Sequence, residues 1–159
     1  MATDPTEDRP RIDSFIAADW AEAINGKLYL MGGGFDTLWA PTFPFAPRFA
    51  FGAVLRVPWN DTNRKLPIEG VVETTDGEDL GWRMGGELEA GRPPGKRGGD
   101  VTVVIAGPVQ FQVEEPTSFV LKLRFAGQER SIALAVSAPP FQIIPPGGRP
   151  PGDQQSPQP

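Results

Sequence analysis

FVLKLRF, residues 119–125, alternates between oil and water. Phe119, Leu121, Leu123 and Phe125 fall on one parity, with Lys122 and Arg124 on the other. Successive side chains of an extended chain point to opposite faces, so this period of two predicts a strand with one buried and one solvated face. The pattern recurs outward from this stretch. VTVVIAGPVQFQV puts Val101, Val103, Ile105, Gly107, Val109, Phe111 and Val113 on one parity, and Pro108, Gln110 and Gln112 on the other. RSIALAV, RFAFGAVLRV, LPIEGVVET and GWRMGGELEA repeat it, the last with Trp82, Met84 and Leu88 against Arg83, Glu87 and Glu89. Pro108 lacks the N–H that a central strand needs, so its strand is placed at an edge or bulged there.

Turn signals separate these runs: Asn25-Gly26, Pro58 to Asn63, Asp76-Gly77, Gly91 to Gly99 and Ala126-Gly127. About eight or nine strands at such spacing predict an all-β fold, an antiparallel β-sandwich or small barrel. In FIAADWAEAI, Ile16, Trp20 and Ile24 recur every four residues and also share a parity. The Asn-Gly directly before KLYLM is a hairpin signal and favours strand, with one short helix near 14–24 as the alternative. Residues 1–10 read as a disordered arm and 11–138 as the β-sandwich domain. Residues 139–159 hold eight prolines, cannot build a hydrogen-bonded ladder, and read as a Pro/Gly-rich disordered tail in which Phe141, Ile143 and Ile144 are the apolar exceptions.

GKLYLMGGGFDTLW, residues 26–39, raises the question of a phosphate-binding loop. Such a loop needs Lys and Ser or Thr after its glycines, then a helix whose N-terminus faces the anion. Gly32-Gly33-Gly34 is followed by Phe35-Asp36-Thr37-Leu38-Trp39-Ala40-Pro41, with no lysine and a proline where the helix would run. Leu28 and Leu30 lie on even positions, Phe35 and Trp39 on odd ones, and a β-bulge at the glycines accounts for the slip.

Three further stretches carry chemistry worth testing. Asp76, Glu78 and Asp79 in ETTDGEDLGW are candidate Ca²⁺ ligands, since that ion takes six to eight oxygens; a solvated acidic hairpin is the plainer reading. Arg92, Lys96 and Arg97 in GRPPGKRGGD could grip an anion or an acidic partner, or simply sit on a mobile hairpin tip. Pro41, Pro44 and Pro47 are spaced by three, the repeat of a polyproline II helix that docks in aromatic grooves; the alternative is a stiff crossover with Phe43 and Phe45 tucked onto the core.

Composition excludes more than motifs include. The 159 residues contain no histidine and no cysteine. Zinc sites, Ser-His-Asp triads, cysteine nucleophiles and histidine-ligated haem are therefore out. A carboxylate pair or a Ser–Lys arrangement remains chemically open, but no catalytic motif is present and no cofactor is expected. A net charge of −5 disfavours nucleic acid and anionic membranes as partners. The absence of cysteine fits a reducing cytoplasm, the N-terminus lacks the basic start and apolar run of a secretory signal, and no stretch is long and apolar enough to span a bilayer.

ADWAEAINGKLYLMGGGFDTLWAP, 18–41, resembles the opening of a family of uncharacterised bacterial β-domain proteins, a domain of unknown function. The resemblance rests on Ala18, Asp19, Ala21, Asn25, Gly26, Lys27, Leu28, the glycines 32–34 and Asp36, and extends over the β core to about 137. It implies a β domain and transfers no catalytic residue. The expectation is a non-catalytic cytoplasmic protein-interaction or assembly module with a protein partner, including a homo-oligomer. The alternatives are a carbohydrate- or Ca²⁺-binding sandwich, or a carboxylate-based hydrolase. Trp20, Trp39, Trp59 and Trp82 discriminate: two on an exposed concave face beside a carboxylate favour sugar, and four buried favour the interaction module.

Overall fold

The computed structural model describes residues 8–140. In chain order they form β1 (Arg11–Ala18), β2 (Trp20–Ile24), β3 (Lys27–Met31), β4 (Thr37–Trp39), β5 (Arg48–Val57), a 3-10 turn (Trp59–Asp61), β6 (Lys65–Thr74), β7 (Asp79–Glu89), β8 (Val101–Gln110), β9 (Thr117–Phe125) and β10 (Gln128–Ser137). That is ten strands among the described residues, against the eight or nine read from the sequence. No helix forms over 14–24. Asp19 breaks the segment into β1 and β2, which enter different sheets.

FVLKLRF lies at the centre. A five-stranded sheet runs β4-β10-β9-β6-β7, and a three-stranded sheet β1-β5-β8 faces it. All neighbours are antiparallel except β4, which pairs parallel to the end of β10. The inward parity of β9 is fully buried at Phe119, Leu121, Leu123 and Phe125. From the other sheet β5 sends in Phe49, Phe51, Ala53, Leu55 and Val57, all buried. Each fully buried side chain of this size contributes roughly 1.5–3 kcal/mol of hydrophobic stabilisation. Phe111 and Phe119 meet edge to face at 5.0 Å, and Phe49 lies 6.2 Å from Phe119 across the sheets.

The flanks of the sandwich are tied. On one side the indole N–H of Trp82, on β7, donates to the carbonyl oxygen of Pro108 on β8 at 3.1 Å. β8 is an edge strand, as its proline requires: the missing N–H leaves no gap in the ladder. On the other side the backbone N–H of Ile12 donates to the Gln128 side-chain oxygen, joining β1 to β10. WAPTFPFAPRF is a crossover between β4 and β5. Phe43 and Phe45 pack against the core, Phe45 forms a two-way backbone bridge with Val113 (2.9 Å each way), and Pro47 is fully buried. The Phe43–Pro44 bond is cis. Pro41 and Pro44 are exposed but Pro47 is not, so the three do not offer one ligand face.

Candidate functional site

The triple glycine marks a change of sheet rather than a bulge. Gly32 and Gly34 have φ of +66° and +88°, where a Cβ is strained. Between them the chain leaves β3, runs back beside the β1–β2 junction and departs for β4. Two backbone bonds hold this turn: Asp19 N–H to Gly32 O (3.3 Å) and Gly34 N–H to Ala17 O (3.4 Å). β2 and β3 are left as a separate two-stranded sheet, closed by Asn25 and Gly26 at φ +51° and +72°, the turn that Asn-Gly specifies.

This hairpin lies over the outer face of the three-stranded sheet. A Cβ on Gly52 of β5 would come within 2.7 Å of Leu28 and 2.8 Å of Leu30, so the missing side chain is the space those leucines occupy. The register fixes what the other face holds. Ala21 pairs with Leu30 and Ala23 with Leu28, facing the sheet. Trp20 pairs with Met31, Glu22 with Tyr29, and Ile24 with Lys27, facing away. Trp20, Ile24, Tyr29 and Met31 are 44%, 40%, 46% and 68% exposed. A hairpin apolar on both faces needs two covers, and the described residues supply one. No described residue forms an ion pair with Glu22 or Lys27.

The outer face of the five-stranded sheet is different in kind. Asp79, Arg83, Glu69, Arg124 and Glu129 form a continuous ladder of ion pairs at 2.7–3.2 Å, with Lys122 to Glu73 at 2.7 Å beside it. Exposed pairs contribute little each, but they leave that face charged and internally satisfied. The Lys122 hydrogen bond lowers the Glu73 pKa, and the Gly81 backbone N–H followed by Arg83 lowers that of Asp79. A carboxyl whose folded pKa is depressed contributes stability that is present above its unfolded value and lost as pH falls through the folded one. The melting temperature is therefore expected to be nearly flat from pH 7 to 5 and to fall below about pH 4. Glu73→Gln with Asp79→Asn should flatten part of that acid limb; identical limbs in a pH series of thermal melts would contradict the assignment.

The sites read from the sequence fall as follows. Asp76 and Glu78 sit on the exposed β6–β7 turn, while both Asp79 oxygens are engaged, one by Gly81 N–H and one by Arg83, each at 2.8 Å. No group of three or more metal-ligating side chains converges among the described residues. Arg92 is exposed but held against the domain: its guanidinium stacks 4.6 Å from the Trp59 ring centroid and donates to the buried Thr62 hydroxyl at 2.8 Å. Lys96 donates to the carbonyl oxygen of Asp100 and so closes its own loop, and Arg97 is exposed. Two of the three cations, Arg92 and Lys96, thus already have hydrogen-bond partners within the domain. Trp59 and Trp82 are half-buried structural residues, whereas Trp20 and Trp39 (52% exposed) lie in different sheets, matching neither tryptophan pattern set out above. Residues 141–159, most of the proline-rich tail, lie outside the described residues.

Sequence reasoning missed the hairpin face. It grouped Ile16, Trp20 and Ile24 as one parity, but Asp19 separates them and turns Trp20 and Ile24 to solvent. The available signal was KLYLM itself, apolar on both parities in a two-stranded element.

Fold and face together define a class: a β-sandwich carrying an accessory hairpin whose outer side is apolar and left exposed by the described residues. The chain belongs to DUF6941, a family of unknown function, whose model matches residues 13–137. That span runs from the irregularity at Asp13 in β1 to the last residue of β10 and includes the whole hairpin. A comparison with curated proteins found no match.

Proposed function

We propose that this chain is a non-catalytic cytoplasmic protein-interaction or assembly module, and that its contact face is the outer side of the β2–β3 hairpin. The observation that carries this is the cluster of Trp20, Ile24, Tyr29 and Met31 on one face, all exposed, opposite a leucine face that is already seated. With side chains of about 200 Å² each, these exposures leave on the order of 400 Å² of apolar area, the size of patch that on a monomer is often functional. Trp, Tyr and Met are the residues enriched at the centre of protein contacts. The single acid and single base on the face, on a chain of net charge −5, favour a protein over an anionic lipid surface. The lack of cysteine supports a reducing compartment, and no helix among the described residues is long and apolar enough to cross a membrane.

The test is position-specific photo-crosslinking in cells. Tyr29 replaced by benzoylphenylalanine is expected to give an adduct of one defined mass, and Arg83 so replaced, on the ion-paired face, none. Equal labelling at both positions, or none at 29, would remove the reading. A second reading, carbohydrate, is favoured by Trp20 and Tyr29 standing beside Glu22. Quenching or enhancement of tryptophan fluorescence by an oligosaccharide, lost in Trp20→Ala, would move the assignment there.

A further inference from the structure

We infer that the occupant of the hairpin face is a second copy of this chain, packed hairpin on hairpin about a two-fold axis parallel to the strands. This rests on reading the face as a protein contact. The register supplies the argument. Across the hairpin, Trp20 stands beside Met31, Glu22 beside Tyr29, and Ile24 beside Lys27. Turning a copy over about an axis parallel to the strands lays its β3 on the β2 of the first. Trp20 then meets the partner's Met31, a sulfur–aromatic contact. Glu22 meets the partner's Tyr29, whose hydroxyl donates to the carboxylate. Ile24 meets the aliphatic stem of the partner's Lys27, whose backbone position lies about 7 Å along the strand from that of Glu22, a gap the lysine side chain spans to bring its ammonium to the carboxylate. Symmetry repeats all three contacts.

Glu22 and Lys27 are the charged groups on this face, and this packing gives each a partner that no described residue gives it in the single chain. An isologous contact requires a patch complementary to itself, and one acid with one base on an otherwise apolar face meets that requirement. Turning the copy about an axis perpendicular to the strands instead stacks Glu22 on Glu22 and Met31 on Lys27, so charge selects the first arrangement. Area agrees. A standard interface buries about 800 Å² per partner, a little over half of it apolar, which is close to what the four exposed side chains offer.

The test is light scattering of the full chain behind gel filtration over a wide range of loading. Wild type is expected at twice the 17.2 kDa chain mass, and Met31→Glu at the single-chain mass with an unchanged far-ultraviolet spectrum. Glu22→Lys and Lys27→Glu should each weaken association at least tenfold, and the two together should restore it. A single-chain wild type at every loading, a two-chain mass that Met31→Glu leaves intact, or a charge reversal that does not restore association each overturns the proposal. A single-chain mass with a Tyr29 photo-adduct to a different protein removes the second copy but keeps the contact face. A single-chain mass with no adduct removes both.

Discussion

Phe119→Ala is expected to lower the unfolding free energy by about 3–5 kcal/mol, measured by denaturant titration. Phe119 is fully buried in β9 and is the point where the two facing sheets meet: Phe111 lies against its ring at 5.0 Å and Phe49 at 6.2 Å. Truncation removes apolar area from a densely packed site and leaves a cavity that strands fixed by ladders on both sides cannot close. Domains of this size have about 5–15 kcal/mol in total, so the variant should lose roughly a fifth or more of it and melt markedly earlier. A loss under about 1 kcal/mol would mean that the facing β5 and β9 sheets are wrongly placed.

Trp82→Ala is expected to cost about 3 kcal/mol, at the low end for tryptophan truncation because the ring is only half-buried. Trp82 spans the flank between β7 and β8. Its ring packs edge-on to Phe51 at 5.9 Å, lies over Gly70, and donates its N–H to Pro108 at 3.1 Å. A Cβ on Gly70 would come within 2.7 Å of Met84 and 3.1 Å of the Trp82 ring, so glycine there makes the slot the indole fills. Trp82→Phe separates the contributions: it keeps most of the packing and removes the donor, and should cost about 0.5–1.5 kcal/mol beyond the lost area. Equal losses from the two variants would place the whole effect in the hydrogen bond and contradict the packing account.

Much of this architecture was legible because it is local. The inward parities of β5, β8, β9 and β10 follow directly from alternation, and Asn25, Gly26 and Gly127 take the positive φ angles their residues suit, whereas Ala126 adopts +47° against the preference of its Cβ. Pro108 announced an edge strand through one missing donor. What was not legible is non-local. Nothing within TLW says that β4 pairs parallel to β10, far away in the chain. Arg92 reads as a loose cation until Trp59 and Thr62 are brought beneath it by the fold. The hairpin was foreseen, but its orientation was not, because Leu28 and Leu30 compete with Tyr29 and Met31 for the protein-facing side. The contest is decided by the absence of a side chain at Gly52, on another strand.

That orientation is the claim on which the functional proposals stand, and nuclear Overhauser contacts to the Gly52 α-protons test it most directly. Methyl protons of Leu28 and Leu30 are expected to show strong cross-peaks to Gly52, and the rings of Trp20 and Tyr29 none. Cross-peaks from the Tyr29 ring to Gly52, with the leucine methyls silent, would mean that the hairpin lies the other way up and that the apolar face proposed as the contact surface is already covered.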